Sequence, residues 1–156
     1  AFMDMGAHAV PLMRAFLGPV EKVCATIGNA AGIYPDVDDN GTALFRFKSG
    51  ALGVVEASWV QTGGASGLEV TGSEGTIYND QELGYVIGVP GKDPVAVVKA
   101  DEKPTRIERL LRAIRGEVPA GELAEDLQCA ADAVAIVEAC YASSEQGAWV
   151  DVSRLG

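Results

Sequence analysis

The spacing of apolar residues along this chain changes period twice, and that change limits the folds open to it. Over residues 3–17, Met5, Ala9, Leu12, Met13, Phe16 and Leu17 recur at helical intervals, and Gly18-Pro19 ends the pattern. Pro11 lies inside this first helix and removes a backbone donor, which predicts a kink or a loosely attached first turn. From Val20 the period shortens: Val20, Val23, Ala25 and Ile27 interleave with Glu21, Lys22 and Thr26, as in a strand with one wet face. Residues 42–47 and 51–60, joined at Lys48-Ser49-Gly50, read as a β-hairpin. Residues 68–71 and 76–78 around Gly72-Ser73-Glu74-Gly75 read as a second, and residues 85–89 and 94–98 as a weaker third pair at a sheet edge. After Pro104 the helical interval returns. Ile107, Leu110, Leu111 and Ile114 share one face, and Leu123, Leu127, Ala130, Val134, Val137 and Tyr141 form a longer stripe that Gly147 stops. Residues 149–152 then read as a terminal strand.

This order predicts an α+β domain: a largely antiparallel, open-faced sheet of six or seven strands with the helices packed on one face. Strand alternation puts Phe45, Phe47, Val55, Ala57 and Trp59 on one side and Leu44, Val54 and Val60 on the other. Both sides are apolar, so the face away from the helices is expected to meet a second copy or a substrate.

At 156 residues the chain can bury one core, so a single domain over residues 1–156 is expected. No apolar run reaches the roughly 18 to 20 residues that cross a bilayer, and the first residues carry no signal-peptide pattern, so a cytoplasmic protein is expected. A net charge of −10, with scattered Lys and Arg, argues against binding to nucleic acid or an anionic membrane. Cys24, Cys129 and Cys140 have no CxxC spacing and one histidine cannot complete a zinc set with them, so reduced thiols and no metal are expected.

Asp4 and His8 are the residues most suggestive of chemistry. Four apart on a helix, a carboxylate and an imidazole share a face and can reach one small molecule. A histidine near neutral pKa can take the proton of a hydroxyl that becomes a carbonyl, with the carboxylate orienting it. The plain alternative is a surface pair, with Asp4 placed for the helix dipole and His8 solvated. Glu102-Lys103-Pro104 reads as a solvated loop before a helix. The turn at 72–75 joins two strands, and neither residues 28–32 (GNAAG) nor 63–67 (GGASG) match a dinucleotide or phosphate loop. Trp59, Phe47 and Tyr78 are candidates for a sugar-stacking platform, although strand aromatics are more often packing residues. On these residues alone, an oligomerisation module and a non-catalytic ligand-sensing domain stay open beside an enzyme.

Several stretches taken in order narrow the choice: residues 4–18 (DMGAHAVPLMRAFLG), Lys48-Ser49-Gly50-Ala51 leading to Ala57-Ser58-Trp59, residues 68–77 (LEVTGSEGTI), and residues 126–147 with Ala139, Ser143 and Ser144. Together they resemble the C-terminal domain of the glucose-fructose oxidoreductase and inositol dehydrogenase family, whose members pair a Rossmann domain with a substrate domain. The resemblance implies that Asp4 and His8 match the family's D-x-x-x-H motif, which binds substrate hydroxyls and whose histidine commonly transfers a proton. It further implies an oxidoreductase acting on a sugar, cyclitol or related polyol. NAD or NADP would be held mainly by an N-terminal Rossmann domain absent from this chain, and a homodimer or tetramer would form through the open sheet face. On that reading the chain is a fragment of a longer enzyme, inactive alone. Two departures stand out. Pro11 replaces the aspartate often found three residues after the histidine, and Glu102-Lys103-Pro104 lies 95 residues after His8 (103 minus 8), where the family's E-K-P lysine precedes it. That match is read as coincidence.

Overall fold

A computed structural model describes residues 1–63, 67–98 and 103–152. They divide into two compact units, Ala1–Gln61 with Leu110–Gly156, and Thr62–Arg109. The α+β class read from the sequence holds, with every strand pair antiparallel.

The first unit opens with a π-turn (Phe2–Gly6) that runs into helix α1 (Ala7–Leu17). Strands β1 (Val20–Gly28), β2 (Asn40–Phe47) and β3 (Leu52–Ser58) follow, and the unit closes with helix α3 (Ala120–Gln146) and strand β8 (Val150–Asp151). The sheet order is β3-β2-β1-β8, with Val23 opposite Phe45 and Ala25 opposite Ala43. Alternation sorts the side chains as their polarity requires. Ala43, Phe45, Phe47, Val55 and Ala57 are buried, while Leu44, Leu52 and Val54 on the opposite face stay exposed. The inner face packs with Phe2, Val10 and Met13 and with Ile136, Val137 and Cys140 of α3 into one core. Burial pushes the Cys140 thiol up to about 12, so it stays a neutral packing group.

Helix α1 differs from its sequence reading in phase. The buried positions are Phe2, Gly6, Val10 and Met13, whereas Met5, Leu12 and Phe16 are half exposed. A π-turn takes one more residue per turn than an α-helix, so side chains before Ala7 are rotated relative to those after it. The irregularity expected of this proline-bearing helix thus falls in its first turn, and the helix continues through Pro11.

The end of α3 shapes the sheet edge. Gly147 takes a left-handed conformation (φ 63°) and returns its N–H to the Ser143 carbonyl, stopping the helix as the sequence predicted. Strand β8 pairs only with Lys22 and Val23, so the outer edge of β1 beyond them lacks a strand partner. Ser143 Oγ accepts the Ala25 N–H at 2.9 Å and Ser144 Oγ accepts the Ile27 N–H at 2.8 Å. Two hydroxyls thereby satisfy donors that would otherwise be left unpaired.

The second unit carries its own sheet, β4 (Val70–Thr71), β5 (Thr76–Asp80), β6 (Gly84–Gly88) and β7 (Val95–Ala96), in that order. The single sheet of six or seven strands expected from the sequence is therefore two sheets of four. The cause lies just after β3, where Ser58 Oγ accepts the N–H groups of both Val60 and Gln61 at 3.1 Å. That local turn takes the chain out of the ladder, and a glycine-bearing stretch follows in place of a tight hairpin turn. It also ends the alternation, so Trp59 is half exposed rather than inward with Val55 and Ala57. Helix α2 (Arg106–Ile114) begins with a reciprocal cap, Thr105 and Glu108 each receiving the other's N–H, and buries no residue of its apolar face. Among the described residues no helix is long and apolar enough to cross a membrane.

Candidate functional site

The site is positioned by one buried ring. Phe2 is fully buried, and its neighbours are shaped to admit it. A Cβ added to Gly41 of β2 would lie 2.8 Å from the Phe2 ring, so that approach needs glycine, and one added to Gly6 would lie 3.3 Å away, a tight contact. Tyr141 of α3 meets the ring edge-on, with centroids 6.4 Å apart. Hydrogen bonds fix the same turn from outside: the Phe2 N–H donates to Asp38 Oδ2, the Tyr141 hydroxyl donates to Asp38 Oδ1 at 2.7 Å, and the Met3 N–H donates to the Tyr141 oxygen at 3.1 Å. Burial and the adjacent Asp38 push Tyr141 up to about 12, so it remains a donor.

With Phe2 pinned inward, Asp4 points to solvent. The indole Nε1–H of Trp59 donates to Asp4 Oδ2 at 3.2 Å. His8, on the first turn of α1, is exposed and has no hydrogen-bond partner among the described residues. The structure therefore leaves both predicted residues accessible. It joins Asp4 to Trp59 across 55 residues of sequence rather than to His8. Met5 and Leu12, neighbours of His8 at helical spacing, are 50% and 43% exposed, so the imidazole sits on an apolar, uncovered helix face.

The loop at 29–39 supports Trp59 from behind. Asp39 is buried, and its carboxylate accepts the N–H groups of Ala30 at 2.6 Å and Ala31 at 2.8 Å. Chiefly the Ala30 bond, opposed by burial and aided by Ala31 and Gly32, holds its carboxyl below the ordinary range. Its carbonyl accepts the Trp59 N–H at 2.9 Å. An open groove of about 400 Å³ runs beside Asp38 and Tyr141, lined also by Ile27, Val37 and Ser144, and includes neither Asp4 nor His8.

Phe47 is a core residue and Tyr78 belongs to the second unit, so no three-ring platform is described. The turn at 72–75 closes with Gly72 N–H to the Gly75 carbonyl and joins β4 to β5. Lys103 and Pro104 are exposed, and Glu102 lies outside the described residues. Among the described residues no group of three or more His, Cys, Asp or Glu side chains is gathered to hold a metal ion. The glycines at 28–32 lie between two strands rather than at the start of a helix, so these residues do not form a cradle for a dinucleotide.

A model of the GFO/IDH/MocA C-terminal domain matches residues 1–78, half of the chain. The chain belongs to this family. No curated protein matches it by sequence. Among solved structures, an NAD-binding protein from Listeria innocua superposes with a TM-score of 0.78 at 19% identity, covering 99% of this chain and 48% of that one. The WlbA dehydrogenase from Bordetella pertussis, in complex with NADH and UDP-GlcNAcA, gives 0.68 at 24% identity over 98% of this chain and 45% of its own. Levoglucosan dehydrogenase with NADH and levoglucosan gives 0.71 at 22% identity, covering 97% and 50%. At such identities the likeness is one of fold, and the GFO/IDH/MocA domain described here spans about half the length of these chains.

Proposed function

We propose that this chain is the substrate-facing C-terminal domain of an NAD(P)-dependent oxidoreductase that acts on a CH–OH group of a sugar, cyclitol or related polyol. The observation that carries the reading is the exposed His8 imidazole, without a hydrogen bond to any described residue, one turn from an exposed Asp4. When the hydroxyl is oxidised its proton passes to the unprotonated nitrogen of His8, and Asp4 accepts a hydrogen bond from a neighbouring hydroxyl. Hydride acceptance belongs to the nicotinamide. The cofactor is assigned to a further, N-terminal domain of the complete enzyme, since the solved relatives that hold NADH are about twice the length of this chain. Met5, Leu12 and Phe16 around His8 form an apolar face suited to being covered by such a domain. The sugar ligands of levoglucosan dehydrogenase and WlbA support the substrate class. A cytoplasmic setting, with three unpaired cysteines, accompanies this reading.

The test is His8→Ala in the complete enzyme, measured on its best polyol substrate. A loss of about 10² to 10⁴ in kcat/KM is expected, and wild-type turnover would remove His8 from the role. The isolated chain is expected to be inactive.

A second reading concerns assembly and is favoured by the outer sheet face. Leu44, Leu52 and Val54 are exposed there, and the Trp149 ring centroid has the Lys22 ammonium at 5.9 Å and the Arg46 guanidinium at 5.8 Å. We assign this face to pairing with a second copy, giving a dimer or tetramer. Light scattering that finds a monomer at high concentration would overturn the assignment.

A further inference from the structure

The geometry points to Trp59 as a substrate-positioning residue: its ring is a stacking wall for the polyol, and its N–H sets the orientation of Asp4. This inference rests on the polyol reading above. Three observations lead to it. The ring is 47% exposed although it directly follows a strand whose Val55 and Ala57 are buried, so it is not spent on the core. Its single donor goes to Asp4 Oδ2 at 3.2 Å, while Asp4 Oδ1 accepts from no described residue and stays available to a ligand hydroxyl. Its backbone is held rigidly, by the Asp39 carbonyl on its own N–H and by the Ser58 hydroxyl on the two amides that follow.

A sugar or cyclitol ring has an apolar face of C–H groups and an edge of hydroxyls. An aromatic plane abutting a fixed carboxylate offers one surface for each. Trp and Asp together thus select for a ring that presents both surfaces at once, and the tryptophan acts on binding more than on proton transfer. A large side chain with few rotatable bonds on a rigid turn loses little entropy when a ligand seats against it.

The experiment is steady-state kinetics of Trp59→Leu and Trp59→Phe in the complete enzyme, with cofactor saturating. Trp59→Leu removes the plane and is expected to raise KM for the polyol about tenfold, or about 1.4 kcal/mol, while kcat stays within about threefold. Trp59→Phe keeps a plane but loses the donor, and is expected to recover at least about half of that affinity loss on a logarithmic scale. Equal losses in both variants would overturn the stacking role, as would an unchanged KM in Trp59→Leu. If Trp59→Leu fails to fold by circular dichroism, Trp59→Gln takes its place: a raised KM with preserved kcat that Trp59→Phe largely recovers upholds the inference, and an unchanged KM in Trp59→Gln or an equal rise in Trp59→Phe refutes it. His8→Ala separates the two levels. Lost activity there with wild-type KM at Trp59→Leu rejects only the role of Trp59, whereas wild-type activity in His8→Ala removes the reading beneath it.

Discussion

The two units of this chain have sheets of equal strand number and differ in what those sheets bury. In the first, Phe2, Val10, Val23, Phe45, Phe47, Ile136, Val137 and Cys140 are all at or below 1% exposed. In the second, Val86 alone among the described residues falls in the buried core, and Ile77, Tyr85 and Ile87 remain 36–42% exposed. Antiparallel ladders join neighbouring strands in both. The difference is the cover supplied by α1 and α3, which turns one face of the first sheet into a dry interior. The candidate site rides on the better-packed unit, because Phe2, which orients Asp4, belongs to that interior.

The largest test of this contrast is a pair of truncations. Phe45→Ala should cost about 3–5 kcal/mol by urea denaturation, and Ile87→Ala on the second sheet less than about 1 kcal/mol. Equal costs would break the comparison. Gly41→Ala comes next, at about 1–3 kcal/mol by thermal melting, because the new methyl group must displace Phe2 and also lies 3.2 Å from Ile27. Gly84→Ala in the second unit meets no atom within 4 Å and is strained only by its φ of 73°, so about 1–2 kcal/mol is expected. Ser143→Ala strands the Ala25 N–H and should cost about 1–3 kcal/mol. Hydrogen exchange should show it as lost protection at Ala25 with the amides of β5 and β6 unchanged.

The smallest effect is on acid stability. The carboxyl of Asp39 has a folded pKa below its unfolded value, so its contribution to stability is complete above the unfolded value near pH 4 and is lost as pH falls through the folded one. Denaturation midpoints measured at pH 6 and pH 3 should therefore fall more in the wild type than in Asp39→Asn. A variant with the same acid dependence would show that this loop carries none of it.

Much of this was legible beforehand because periodicity reports burial. The alternation in β2 separated Phe45 and Phe47 from Leu44, and Gly147 marked the end of α3. What escaped the reading depends on contacts between distant segments. Phe2 stands before the first recurrent spacing, and the extra residue of a π-turn leaves no trace in composition, so the helical pattern picks out the buried Met13 and the half-buried Ala9 and Leu17 but not Phe2, Gly6 or Val10. Ser143 and Ser144 were noted within a family-like stretch, but their task on the edge of β1 requires α3 to lie against a strand about 118 residues away. The pairing of Asp4 with Trp59 was hidden for the same reason, since only the fold brings the end of β3 to the opening turn. Spacing and resemblance single out Asp4 and His8, and the structure adds that both side chains are exposed.

The opening π-turn works as a phase shifter between the buried Phe2 and the exposed Asp4. Removing a single residue between Phe2 and Gly6 would wind the turn back to ordinary α pitch and swing its carboxylate around the axis relative to the imidazole that follows. The count of residues in that short stretch is consequently under tighter constraint than their identities, and an insertion or deletion there would misalign the surface even if every side chain named above were kept.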